Sequence, residues 1–282
     1  MSTGQTASKH PVVLATESAE AANEDVVDSN VTVVNAMYAE LLDAPEIAPN
    51  ALRSYYVDFY LTQALAGGFA QYVFTVPERE EIDAYVREGL EGMGATAHLA
   101  LFNRTAEAFD ALSEDDADIY LDGDTDGESA TPEPVRGLEE LDEAFESLLE
   151  TEDIIALNAA WLRGQEGLLL LDEEQLELHI AERVAQIPNL AERQAEAAEE
   201  ALENAPEFEL IIRELCDVAG QELQKITMGD PNYEHNGETI LAWHFTTDQG
   251  DFIMVEEDDE AFMISPTTKE IIAAVEFEEA DA

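Results

Sequence analysis

Asp and Glu outnumber Lys and Arg by 65 to 12, and this imbalance limits what the chain can fold into before any motif is considered. A formal net charge of −53 opposes compaction through self-repulsion, and chains so charged are often disordered. Two features argue for a folded protein. Apolar residues make up 46% of the chain, and they recur at helical and strand periods, which is what a core requires. The basic residues are also skewed: only Lys9, Lys225 and Lys269 are lysines. A lysine stem holds little water, whereas carboxylates hold hydration and counter-ions tightly. Exchanging exposed Lys for Asp and Glu keeps a protein dissolved where salt competes for water. A Debye length of about 3 Å at 1 M salt removes most of the self-repulsion. The excess runs through every segment, so it reads as halophilic adaptation and not as an acidic tail.

The length of 282 residues favours two domains. Cys216 is the single cysteine, which rules out an intrachain disulfide and fits a reducing compartment. The start of the chain lacks a basic segment followed by a long apolar one. No apolar run approaches the roughly 20 residues of a membrane helix. The expectation is a cytoplasmic protein with no membrane contact.

Residues 1–28 are polar and small and read as a flexible acidic arm. Helical periodicity then covers residues 29–165. One stripe is Val34, Met37, Tyr38, Leu41 and Leu42, and another is Leu52, Tyr55, Tyr56 and Phe59 after an Asn50 cap. Thr75 and Glu78 fit a capping box ahead of Ile82, Val86, Leu90 and Met93. Residues 113–136 are acidic and rich in Gly, Pro, Ser and Thr, and read as a long loop. Residues 166–205 read as a helical connector. Residues 206–282 begin with a helix and change to strand period, with Asn236-Gly237 as a turn signal. The fold class expected is an α-helical N-terminal domain followed by a smaller α+β domain with an antiparallel sheet.

The most specific motif is Gly67-Gly68-Phe69-Ala70-Gln71-Tyr72, followed by Gly92-Met93-Gly94-Ala95. Two adjacent glycines permit a tight turn or close approach. Phe69 and Tyr72 would then fill the core, and Gln71 would satisfy the backbone groups that the turn exposes. Over about residues 31–164 the chain resembles a helical family related to acidic DNA-mimic proteins, whose hallmark is this Gly-Gly-Phe-x-Gln-Tyr pattern. The resemblance carries over to Gly67, Gly68, Phe69, Gln71 and Tyr72, with a structural role expected for each. Family members commonly place Asn before the two glycines, where this chain has Ala66, so any role of that Asn is absent. The resemblance implies a protein that binds DNA-binding proteins in place of DNA.

Asp122, Asp124, Asp126 and Glu133 match the ligand spacing of a calcium loop, with Gly127 at the turn. Ser129 stands where an apolar residue should be and Pro132 where the following helix should begin, so the expectation is no metal site. The five histidines show no ligand spacing: His179 and Glu182 share a helix face without a third ligand, and His235 and His244 merely flank a turn. Cys216 falls in an apolar helix register and reads as packing. There is no phosphate-binding glycine loop, nucleophile elbow or His-Glu-x-x-His.

These observations lead to an expectation of no cofactor, no catalytic residues and no direct nucleic-acid binding. The function expected is that of a non-enzymatic acidic interaction protein whose partner is a basic or DNA-binding protein. The alternative is an enzyme with an unfamiliar site near Trp243, His244 and the C-terminal sheet. Charge density bears on mimicry. Size scaling gives about 12,000 Å² of surface, or about 225 Å² per net charge, against about 110 Å² for DNA. A mimic would need one face with about twice the average density.

Overall fold

The computed structural model describes residues 10–122, 131–257 and 259–276. Backbone contacts divide the chain into two compact units, residues 1–190 and 191–282. The expected fold class is what the structure shows, a helical N-terminal region followed by an antiparallel sheet.

The first unit contains β1 (Val13–Ala15), α1 (Asn23–Ala39), α2 (Pro49–Thr75), α3 (Glu80–Met93), α4 (Thr96–Asp110) and α5 (Glu114–Asp122). It continues through α6 (Glu133–Leu149), α7 (Ile154–Arg163), β2 (Leu169–Leu171) and α8 (Glu173–Val184). The long helix α2 crosses two cores. Its first half packs Leu52 and Ala51 with Val26, Val34 and Met37 of α1 and Leu162 of α7. Its second half packs Tyr60, Phe69 and Tyr72 with Val86 and Leu90 of α3, Phe102 of α4, and Leu138 and Phe145 of α6.

Three boundaries differ from the sequence reading. Residues 1–28 are not a flexible arm over their described part. Val12, Val13 and Leu14 are buried, β1 pairs in parallel with β2, and α1 already starts at Asn23. Three apolar residues are too few to stand out in a polar stretch, yet pairing 156 positions away buries them. The segment 113–136 is also not one loop. Ser113 accepts a hydrogen bond from the Asp116 N–H at 3.2 Å, and three acidic residues occupy the first turn of α5, where they suit the helix dipole. Residues 166–190 are part of the first unit and not a connector, because Ile180 and Ile187 are buried in its core.

The expected Thr75–Glu78 capping box does not form. The Thr75 hydroxyl donates back to the Gln71 carbonyl at 2.8 Å, and α3 begins at Glu80.

The second unit holds α9 (Leu190–Glu203), which buries no residue, and α10 (Glu207–Ala219). Five strands follow in meander order: β3 (Leu223–His235), β4 (Glu238–Thr247), β5 (Gly250–Glu257), β6 (Glu260–Ile264) and β7 (Ile271–Glu276). Asn236 and Gly237 both have positive φ, 52° and 89°, as a two-residue hairpin with matching twist requires. On one sheet face Phe245, Met254, Met263 and Val275 pack against Ile211, Ile212, Leu215 and Cys216 of α10. The other face buries Ala242, Ile253, Val255 and Ile264. Lys269, in the turn after β6, reaches Tyr233 of β3 at 3.2 Å, so the sheet curls over this second face.

Candidate functional site

The Gly67-Gly68 pair bends α2. Gly68 has φ 68° and ψ −165°, a conformation nearly confined to glycine, and helical geometry resumes at once toward Thr75. The bend leaves backbone N–H groups without helical acceptors, and one of them is captured from a distant helix. The Phe69 N–H donates to Asp142 Oδ1 of α6 at 2.9 Å. Tyr120 of α5 donates its hydroxyl to Asp142 Oδ2 at 2.7 Å. A Cβ on Gly68 would stand 2.9 Å from the Asp142 carboxylate carbon, so this approach requires glycine. Burial raises the Asp142 pKa, and the hydrogen bonds from Tyr120 and Phe69 oppose that shift. Burial, with the Asp142 charge behind it, pushes the Tyr120 hydroxyl up, so it remains a donor.

Phe69 and Tyr72 are buried, as the motif implied. The Tyr72 hydroxyl donates to Asp83 Oδ1 at 2.8 Å. Asp83 is 3% exposed and also holds Arg79 through Oδ2, with Arg87 at 3.2 Å. Arg79 continues to Asp110 and lies over the rings of Phe69 and Phe109, 5.5 Å from each centroid. Arg87 donates to Asn103 at 2.9 Å and covers Phe102. The aromatic core of the bend is therefore wrapped by a charged network with its cations turned inward.

Gln71 does not do what the motif suggested. Its amide lies 3.1 Å from the Thr75 hydroxyl and 3.4 Å from Gln63 Oε1, and it caps no backbone group of the bend. Asp142 takes that part. Sequence reasoning missed Asp142, Asp83, Arg79 and Arg87. A carboxylate among 65 carries no signal, but Arg79 and Arg87, two of only nine arginines and eight residues apart just after the motif, could have drawn attention.

The remaining candidates do not assemble into a site. Asp124 and Asp126 lie outside the described residues, while Asp122 ends α5 and Glu133 begins α6. Among the described residues, no group of three or more His, Cys, Asp or Glu could hold a metal ion. His179 has its pKa lowered by burial and by Arg183. Burial pushes the Cys216 thiol up to about 11, away from nucleophilic character. Trp243 and His244 are neighbours in a strand and so point to opposite faces. Trp243 stacks on Phe208 of α10 with centroids 3.7 Å apart, while His244 faces Tyr233 at 6.4 Å. His235 instead meets Glu257 at 3.1 Å beside the hairpin turn.

Chemically, the two acids of the bend are tied into the protein. Asp83 and Asp142 receive donors on both oxygens from within the protein. Such an arrangement fixes the shape of the bend. The class defined by this geometry is a helical bundle organised around a bent helix. Residues 45–165 match the family described as DMP19-like protein. That stretch runs from just before α2 to just past α7 and includes the bend, Asp142 and both arginines, but not β1, α1, β2, α8 or the sheet. No curated protein and no solved structure matches the chain. Among the described residues, no helix is long and apolar enough to cross a membrane.

Proposed function

We propose that this chain is a non-enzymatic interaction protein of a high-salt cell, and that its helical unit binds a basic, DNA-binding protein in place of DNA. The observation that carries the reading is the division of charge on α3 and α6. Glu80, Glu81, Glu88 and Glu91 are exposed along α3, and Glu139, Glu140, Glu143, Glu146 and Glu150 along α6. Of the nearby arginines, Arg79 and Arg87 converge on the buried Asp83, Arg79 also reaching Asp110, while Arg53 pairs with Glu88 at the surface and takes that one carboxylate out of the row. Carboxylates three or four residues apart recur about every 5 Å along a helix axis. One DNA strand carries a phosphate about every 3.4 Å. The row on α6, at steps of three or four residues, therefore approaches the linear density of a strand even though the average surface does not, whereas the row on α3 is interrupted between Glu81 and Glu88.

The similarity of residues 45–165 to DMP19-like protein supports the same reading. The solvent adds a condition. Counter-ion release weakens steeply with salt, so in molar salt a partner must also be held by shape and apolar contact. An enzyme site at Trp243 and His244 has no support from a geometry that turns the two side chains apart.

The test is competition. A DNA-binding protein from the same cell is saturated with labelled duplex, and this chain is titrated in at several salt concentrations where circular dichroism shows both proteins folded. Displacement of the duplex supports the reading. Failure to displace it at every such concentration overturns it.

A further inference from the structure

Half of the eight tyrosines gather on one side of the helical unit. Tyr38 of α1, Tyr55 and Tyr56 of α2 and Tyr85 of α3 are all partly exposed and rest on the core beneath them. Tyr56 stacks on Tyr85 with centroids 5.0 Å apart and meets Tyr55 edge-on at 5.2 Å; Tyr38 meets Tyr55 at 6.2 Å. The Tyr38 and Tyr56 hydroxyls are 3.3 Å apart, and Tyr55 donates to the exposed Asn35 at 3.0 Å. Burial raises the pKa of Tyr38, Tyr55 and Tyr85, so all three stay neutral. Rigid, amphipathic rings at a surface are the commonest anchors of protein interfaces.

The charges around the ledge specify what fits it. Asp58 is half-buried beside Tyr55, and Asp28 lies near it. Among the described residues neither carboxylate has a side-chain hydrogen bond or an ion pair. Glu81 and Glu88 act on Tyr85 from the other side. Arg53, the cation that acts on Tyr85, is already committed to Glu88 at 2.5 Å and to Asn50 at 2.6 Å. The ledge thus combines partly exposed aromatic rings with the Asp28 and Asp58 carboxylates, which the chain itself does not neutralise. A guanidinium satisfies both at once, since it stacks flat on a ring and offers paired N–H donors to a carboxylate. An ammonium does this less well.

We infer that the ledge of Tyr38, Tyr55, Tyr56 and Tyr85, with Asp28 and Asp58 beside it, is where the helical unit receives arginine side chains of a basic protein partner. This rests on the interaction reading above and gives it the apolar contact that molar salt demands.

The probes are two labelled peptides of equal length and charge, one arginine-rich and one lysine-rich, titrated with the full chain by fluorescence anisotropy in molar salt. The arginine peptide should bind about tenfold more tightly, the scale of a desolvated cation–ring contact. Tyr55→Ala and Tyr85→Ala should each remove most of that preference and leave lysine-peptide binding within about twofold, while Tyr85→Phe, which keeps the ring, should retain it. Asp58→Asn serves if an alanine variant melts early, because it removes an unneutralised charge without touching the core, and it too should weaken arginine binding. Equal binding of the two peptides, or no effect of these variants, overturns the ledge while leaving the interaction reading intact. If neither peptide binds, both fall. If sedimentation shows a dimer that Tyr55→Ala dissociates, the occupant is a second copy and the arginine assignment is wrong.

Discussion

Replacing Gly68 by Ala tests whether the bend in α2 is held by Asp142. The new Cβ would lie 2.9 Å from Asp142 Cγ and Oδ2 and 3.0 Å from Oδ1, so the carboxylate must retreat. Retreat breaks or lengthens the hydrogen bonds from the Phe69 N–H and the Tyr120 hydroxyl. Bonds to a charged acceptor contribute about 1.5–3 kcal/mol each. Holding alanine at φ 68°, ψ −165° adds about 1–3 kcal/mol. With both bonds lost the total is about 4–9 kcal/mol, a large share of a typical domain stability. Gly67→Ala is the control. Gly67 has φ −170°, is exposed, and its added Cβ would meet only the Gln71 side chain, at 3.1 Å. It should cost no more than ~1 kcal/mol. Both are measured by urea denaturation in molar salt, in a Trp243→Phe background where Trp161 is the remaining tryptophan and reports the helical unit. Equal losses at the two glycines, or a Gly68→Ala loss below ~1 kcal/mol, would refute the clamp.

Arg79→Met should cost about 3 kcal/mol in the same assay, because Asp83 is left buried with Arg87 and Tyr72 as its remaining donors; a neutral result would show the network to be incidental. Dilution from molar to about 0.1 M salt lengthens the Debye length from about 3 to about 10 Å, so helical circular dichroism should fall and the hydrodynamic radius grow; a cooperative, unchanged thermal transition in low salt contradicts halophilic adaptation. Burial and then the Asp28 charge push Asp58 up to about 6. A carboxyl whose folded pKa exceeds its unfolded one stabilises below the unfolded value, and that contribution is lost as pH rises through the folded one. Acidification from pH 7.5 to 5 at constant molar salt should therefore raise stability by ~1 kcal/mol after solvent screening, and Asp58→Asn should flatten that rise; a fall in stability that the variant leaves unchanged would contradict it.

The elements that the sequence made legible are those whose signal is local. The helical stripes, the Asn236-Gly237 hairpin and the alternating strands depend on neighbours within a few residues. What was hidden depends on distance. Leu14 is buried only because its strand finds Leu170 far along the chain. The cap of the bend comes from Asp142, 73 positions beyond Phe69, whereas local sequence offers only the adjacent Gln71 for that part. The acidic composition concealed α5, since a Ser cap followed by Glu114, Asp115 and Asp116 has the same letters as a solvated loop. The separation of Trp243 from His244 follows from the period-two alternation of a strand.

Charge mimicry would show itself in the salt dependence of complex formation with a basic DNA-binding protein from the same cell. The association constant is measured from about 0.5 M salt upward, over the range where both proteins stay folded. If carboxylates on α3 and α6 take the place of phosphates, its logarithm should fall steadily with the logarithm of salt concentration, and charge-neutral Gln variants of Glu143 and Glu146 should make that slope shallower. Binding that does not change with salt, or no binding anywhere in that range, would contradict the account.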